Sequence, residues 1–288
     1  MRMSRGSEFR NRVLAQKTVW SAGAYDALSA RFIEAAGFDA LMTSGFGVSA
    51  SFLGQPDAEL YTMSENLTVV RNVVSAVNVP VIADIDTGYG NAINVMRTIR
   101  EFEASGVSAV IMEDQVAPKR CPICVGGVEV IPMDEGVAKI QAAVEARRDP
   151  NMLIIARTDV VDPAAAMERG RAYVAAGADM IQPISKCFKD IDGLRAMREA
   201  VGAPLSLQLL GWLEKLSADE VEEVAGMATY ALVPLMTVAS ALKENLAALA
   251  ERRSTRDLPR PVTDHNSFID FIGFPQIEEL QKRYLKTA

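Results

Sequence analysis

Asp84 and Asp86 stand one residue apart in Val79-Pro80-Val81-Ile82-Ala83-Asp84-Ile85-Asp86-Thr87-Gly88-Tyr89-Gly90-Asn91, where an apolar run ends in acids and a glycine turn. Carboxylates at that spacing share one side of an extended chain. A divalent cation with oxygen ligands relieves their repulsion most simply, so the pair is a candidate metal site. Capping acids on a strand-to-helix turn are the plain alternative. Further along, Lys119-Arg120-Cys121 places a thiol beside two cations. That setting stabilises a thiolate and makes Cys121 a candidate acid/base, with an inert loop cysteine as the alternative. Cys121-Pro122-Ile123-Cys124 has the spacing of a zinc knuckle, but structural zinc needs four ligands and only Cys187 remains, so no zinc is expected.

The elements that must position these groups are legible as periodicity. Strand-length apolar runs alternate with amphipathic helical stretches, the pattern of repeated βα units around a parallel sheet. Eight strands are predicted: 18–22, 40–43, 80–84, 109–113, 153–157, 180–183, 204–207 and 228–233. The intervening helices are placed at 26–36, 64–77, 92–105, 134–148, 163–176, 191–201, 218–225 and 237–252. The spacing predicts an α/β fold, a (β/α)8 barrel over 1–253, with a Pro-containing linker at 254–263 and a helical tail at 266–286. Only the termini read as candidates for disorder. The 19-residue connection from Asp114 to Pro132 exceeds an ordinary βα loop and is a candidate active-site lid.

Working residues of such a barrel lie at the C-terminal ends of its strands. Those ends carry Ser44, Asp84, Asp86, Glu113, Arg157 and Ser185, with Tyr25 just past the first strand. Three acids on one face strengthen the case for Mg2+ or Mn2+. Such an ion takes few carboxylates directly and leaves positions for a bidentate 2-oxo or 2-hydroxy carboxylate. Arg157 suits a substrate carboxylate or developing enolate, or else a salt bridge to Glu113 or Asp86. Ser44-Gly45-Phe46-Gly47 offers backbone amides and a hydroxyl for the same carboxylate.

Composition removes other classes of function. The 288 residues are 49% apolar, carry a formal net charge of −7 and show no Lys/Arg cluster, which excludes nucleic acid and anionic membranes as expected partners. No apolar run approaches the roughly 18 residues needed to span a bilayer. Met1–Glu8 has no signal-peptide core, and three cysteines are not a disulfide framework, so a cytoplasmic location is expected. The single histidine, His265, argues against a Ser-His-Asp triad, a His-rich zinc site and an iron site built from two histidines and a carboxylate on the main body. The tail stripe Phe268, Ile269, Phe271, Ile272, Ile277 and Leu280 is too apolar to float free and packs on the barrel or on another subunit.

These residues together resemble the isocitrate lyase/phosphoenolpyruvate mutase superfamily. The likeness runs from Gly23-Ala24-Tyr25-Asp26-Ala27 through Ala83–Asn91 and Met112-Glu113-Asp114-Gln115 to Ile155-Ala156-Arg157-Thr158-Asp159. The resemblance implies Asp84 as a Mg2+ ligand, with Asp86, Glu113 and Asp57 holding metal-bound waters. It also implies Ser44, Gly45 and Arg157 as ligands of a 2-oxo carboxylate, with Tyr25, Phe46 and Gln208 nearby. A homotetramer is implied, with a C-terminal helix swapped between neighbours.

Lys119-Arg120-Cys121 is similar to the lyase loop, in which the cysteine protonates the departing carbanion. Pro122-Ile123 stands where lyases have Gly-His, Ile184 where they have glutamate, and Gln208 near their asparagine. The likeness is to the 2-methylisocitrate lyase-like and carboxyphosphonoenolpyruvate mutase-like branch. It implies a Mg2+-dependent carbon–carbon lyase acting on a 2-hydroxy- or 2-oxo-dicarboxylate with an apolar distal group. Oxaloacetate decarboxylation, phosphonate C–P chemistry and a non-catalytic 2-oxo-acid-binding barrel are the alternatives.

Overall fold

In the computed structural model, which describes residues 4–121 and 128–285, eight parallel strands close into a barrel in sequence order. They are β1 (Val19–Ala24), β2 (Ala40–Thr43), β3 (Val81–Asp84), β4 (Ala109–Glu113), β5 (Leu153–Thr158), β6 (Met180–Pro183), β7 (Leu205–Gln208) and β8 (Ala225–Tyr230). β8 returns to β1, with Val19 opposite Met227 and Ser21 opposite Thr229. The expected (β/α)8 barrel with a C-terminal helical extension is the observed fold.

The helices are α1 (Arg5–Leu14), α2 (Ala27–Ala35), the single turn α3 (Gly45–Val48), α4 (Met63–Ala76), α5 (Ala92–Ala104), α6 (Met133–Ala146), α7 (Pro163–Ala175), α8 (Ile191–Val201), α9 (Ala218–Val224), α10 (Val233–Arg252), α11 (His265–Ile272) and α12 (Phe274–Tyr284). Most starts are written in the local sequence. Asp26, Thr62, Asn91 and Ser217 each form reciprocal capping boxes, and Asp162 precedes a Pro at the first helical position of α7.

Two-residue alternation sorts each strand between two cores. Val81 and Ala83, Val110 and Met112, and Ile154 and Ala156 pack outward against the helices. Ile82, Ile111, Leu153 and Ile155 belong to the second cluster, with Met42, Met180 and Met227 from other strands. Continuing that inward parity by two residues reaches Ser44, Asp84, Glu113, Arg157 and Gln182, and Gln208 joins them by its hydrogen bond to Gln182. The chemistry-bearing residues are thus the last inward positions of their strands.

Two elements of the barrel depart from expectation. Residues read as a terminal candidate for disorder form α1, capped by the Ser4 hydroxyl, and its Phe9 and Val13 join the inner cluster beside Val19 and Met227. A helix offering two buried side chains carries little periodic signal. β8 lies three residues earlier than predicted, and Gly226 is an interior strand residue under close approach. A Cβ there would stand 2.7 Å from Pro204 Cβ.

The chain divides into two compact units, Met1–Leu235 and Met236–Ala288. Within the second, Arg260 forks onto Glu244 with two 2.8 Å bonds, and its backbone exchanges hydrogen bonds with the Asn245 amide. The tail read as one helix is two, broken at Gly273, whose φ of 96° suits glycine. Val238, Leu242 and Leu246 on α10, and Phe274, Ile277 and Leu280 on α12, are exposed in the single chain. No helix among the described residues is long and apolar enough to cross a membrane.

Candidate active site

The turn after β3 puts the two aspartates into contact with backbone rather than with each other. Asp84 Oδ1 accepts the Asp86 N–H at 3.1 Å and Asp84 Oδ2 accepts the Gly45 N–H at 3.1 Å. Gly45 is required there, since a Cβ would lie 2.8 Å from Asp84 Oδ2 and 2.9 Å from the Tyr61 hydroxyl. Asp86 takes a left-handed backbone, φ 49°, a conformation that Asp tolerates better than most residues. Its Oδ2 accepts the Tyr89 hydroxyl at 3.0 Å. Asn66 donates to the Tyr89 oxygen at 2.8 Å and to the Asp84 carbonyl at 2.9 Å, anchoring the turn to α4.

Into this nest of acids comes the Lys119 ammonium. Its Nζ lies 2.5 Å from Asp86 Oδ1, 3.0 Å from Asp57 Oδ1 and 4.0 Å from Glu113 Oε1. Arg157 Nη1 meets Glu113 Oε2 at 2.7 Å, while its Nε and Nη2 fork onto Asp159 at 2.8 and 2.9 Å. Of the two salt bridges expected for Arg157, the one to Glu113 forms; Asp159 is the partner that sequence reading overlooked. Asp86, Glu113 and Lys119 are at most 3% exposed.

Burial raises the Asp84 carboxyl to about 6, with Lys119 pulling it down and Asp86 pushing it up. Burial likewise drives Glu113 well upward against the pull of Arg157 and Lys119. For Lys119, burial opposes the charge, but Asp86, Glu113, Asp84 and Asp57 outweigh it and hold the amine protonated. Tyr61 and Tyr89 are pushed well above the usual phenol range, by burial first and then by Asp86.

Asp57 Oδ1, Asp86 Oδ1 and both Glu113 oxygens are buried without hydrogen bonds, met only by the charges of Lys119 and Arg157. Orphaned hard oxygens around one cation suit Mg2+, which uses one or two carboxylates and keeps waters. Among the described residues no three acids, cysteines or histidines are close enough to form a complete metal cage by themselves.

Above the acids opens a cavity that is continuous with solvent. Ser44, Phe46, Asp57, Asp84, Cys121, Arg157 and Gln208 line it, together with Ile184 and Ser185. Asp86, Glu113, Lys119 and Gly45 form the layer in contact with those groups. Tyr25 does not reach this cavity. It lines a separate groove with Asp26, Leu28, Ser51 and Phe52. Cys124 lies outside the described residues. Cys187 is buried, its thiol pushed up to about 12 by burial and then by Asp162.

Sequence reading missed a polar group on the opposite wall. Gln182 Oε1 accepts from the Ser206 hydroxyl at 2.9 Å and from Gln208 Nε2 at 3.2 Å, while Gln208 Oε1 is buried without a partner. The inward parity of Met180 and Gln182 was the available signal. A second missed group supports Arg157 from behind. Asp114 accepts the Asp159 N–H at 2.9 Å and the Tyr173 hydroxyl at 2.9 Å, and pairs with Arg169 at 3.1 Å.

The closed parallel (β/α)8 barrel thus carries an acid cluster, an arginine fork and an open cavity together at its C-terminal mouth, where barrel enzymes place their sites. Residues 9–250 match the phosphoenolpyruvate phosphomutase family. The chain therefore belongs to the isocitrate lyase/phosphoenolpyruvate mutase superfamily. It is 37% identical to 2,3-dimethylmalate lyase of Eubacterium barkeri, over 98% of this chain and 99% of that protein. It is also 37% identical to oxaloacetate decarboxylase of Chromohalobacter salexigens, over 87% and 92% of the two chains. Its structure superposes on a phosphonopyruvate hydrolase complex with oxalate and Mg2+ with a TM-score of 0.89, at 31% identity, covering 99% of this chain and 100% of that one. Relatives with lyase, decarboxylase and hydrolase names thus share this scaffold.

Proposed function

We propose that the protein is a Mg2+-dependent carbon–carbon lyase that cleaves a 2-hydroxy-dicarboxylate bearing an apolar distal group, of the alkylmalate type, into a 2-oxo acid and a simple carboxylate. The observation that carries this reading is Cys121, which lines the same cavity as Asp84, Ser44 and Arg157. Asp84 would hold the metal, with Asp86, Glu113 and Asp57 reaching it through water; Mn2+ fits the same oxygens. Bound there, the ion supplies charge stabilisation for an oxygen that becomes anionic.

The protein's own groups do the rest. The Ser44 hydroxyl and nearby backbone amides receive the substrate's C1 carboxylate. Arg157, held planar by Asp159 and Glu113, faces the oxygen on C2 and stabilises charge that develops there. The C2 hydroxyl gives its proton to a carboxylate of the acid cluster as the C2–C3 bond breaks. The electron pair left on C3 takes a proton from the Cys121 thiol, with Lys119 balancing the resulting negative charge. Ile184, Leu210 and Leu232 line the cavity and suit alkyl substituents on C3. The name of the dimethylmalate lyase relative supports that choice of substrate.

The exposed stripes on α10 and α12 support a homotetramer with an exchanged C-terminal helix, which light scattering would report directly. The net charge of −7 supports small-molecule partners rather than nucleic acid or an anionic membrane, and three cysteines without a disulfide framework support a cytoplasmic enzyme.

The test is release of 2-oxo acid with Mg2+ from 2,3-dimethylmalate, 2-methylisocitrate, oxaloacetate and phosphonopyruvate in parallel. Dimethylmalate is expected to be turned over best. Turnover of oxaloacetate alone, which the decarboxylase relative makes the second reading, would replace the lyase assignment, as would turnover of phosphonopyruvate alone. Tight oxalate binding with no turnover across the panel would mark a binding protein.

A further inference from the structure

Lys119 and Cys121 can serve one geometry only if the backbone carrying them is held, and two side chains outside the cavity wall hold it. Glu59 Oε2 accepts the Lys119 N–H at 2.8 Å, while Oε1 accepts the Thr87 hydroxyl at 2.5 Å, one residue beyond Asp86. Glu59 does this from a left-handed backbone, φ 54°, which is unfavourable for a residue with a Cβ and persists where the surroundings over-determine it. Gln115 Oε1 accepts the Arg120 N–H at 2.9 Å. Its Nε2 donates to Asp159, the carboxylate that carries the Arg157 fork. One end of the amide meets a donor and the other an acceptor, so its orientation is fixed. Gln115 is 1% exposed, and hydrogen bonds from Val116 to Glu129 and from Ile131 to Asp114 pin the chain around it.

Consecutive peptides are therefore tied to different parts of the site: Lys119 to the turn that carries Asp86, and Arg120 to the partner of Arg157. We infer that Glu59 and Gln115 are positioning residues that set where the Cys121 thiol and the Lys119 ammonium stand relative to the acid cluster and Arg157. What Cys121 does there rests on the lyase reading; the clamp does not.

The experiment compares Glu59→Ala, Gln115→Leu and the conservative Glu59→Gln with the full wild-type chain. The first readout is tryptic cleavage at the Lys119–Arg120 and Arg120–Cys121 bonds, followed by fragment mass without ligand. Loss of either clamp is expected to speed cleavage about fivefold, the effect of one net hydrogen bond on a local opening equilibrium. Glu59→Gln, which keeps a carbonyl acceptor, is expected to cut at nearly the wild-type rate. The second readout is turnover of whichever panel substrate the wild type accepts. There kcat is expected to fall about 10- to 100-fold, the scale of a misplaced catalytic group, while inhibition by oxalate moves less than about threefold.

Unchanged cleavage in both Glu59→Ala and Gln115→Leu overturns the inference. So does a loss of oxalate binding in step with kcat, which would signal collapse of the whole site. If the wild type turns over no panel substrate, the lyase reading fails and the cleavage comparison alone decides the clamp. If Glu59→Ala does not fold, Gln115→Leu decides it.

Discussion

The two halves of the barrel mouth are built on the same inward positions and follow opposite chemistry. At the tips of β2 to β5 stand Ser44, Asp84, Glu113 and Arg157, with Asp86 and Lys119 packed among them. At the tips of β6 to β8 stand Gln182, Ile184, Gln208, Leu210 and Leu232, all neutral. In the first half, desolvation is offset by charges held at ion-pair distance, so that half tolerates little change. In the second, amides and aliphatic groups fill equivalent places without such compensation. Under the proposed reading, the charged half carries the reaction and the neutral half selects the substrate.

The largest effect is expected from the charged half. Arg157→Met leaves Glu113 and Asp159 buried without their fork, and kcat/KM should fall by about 10³ or more, with oxalate binding weakened as well. A loss below tenfold would separate Arg157 from the chemistry. Cys121→Ser should lower lyase turnover by about 10²-fold with oxalate binding unchanged, because only proton delivery is removed. Unchanged turnover would remove that role from Cys121.

The neutral half should respond in specificity. Ile184→Ala is expected to raise KM for a dimethyl-substituted substrate about tenfold, the scale of lost apolar contact, and to leave oxalate inhibition unaltered. Equal effects on both ligands would dissolve the division between halves.

The smallest effect concerns Cys187, buried just past the neutral half. With its thiol pushed up to about 12 by burial, it is almost wholly protonated at pH 8, and alkylation should speed up only as pH rises toward that value or as the chain unfolds. Cys187→Ala should leave turnover within about twofold. Rapid labelling of Cys187 in the folded protein at pH 8 would show that this region is more open than the structure has it.

Much of the charged half is legible in the sequence because strand periodicity is local. Ile82 and Asp84, Ile111 and Glu113, and Ile155 and Arg157 are pairs two residues apart, and alternation alone places each acid or arginine on the barrel's inner side. The same parity holds for Gln182, but an amide at a strand tip signals no particular chemistry. Tyr25, also read from a strand end, faces another groove because the chain turns there into the Asp26 cap of α2.

The sequence by itself determined the eightfold βα alternation, the strand tips that carry the acids and Arg157, and a resemblance specific enough to place the family. Each rests on short-range spacing or on motifs carried by neighbouring residues. Only the tertiary structure decided that the Lys119 ammonium sits among the acids and that Glu59 binds a backbone 60 residues away. It also decided that Asp159, rather than Asp86, shares Arg157 with Glu113, and that α1 supplies Phe9 and Val13 to the inner core. These contacts depend on barrel closure and on the paths of the loops, which bring together groups whose separation in sequence follows no period.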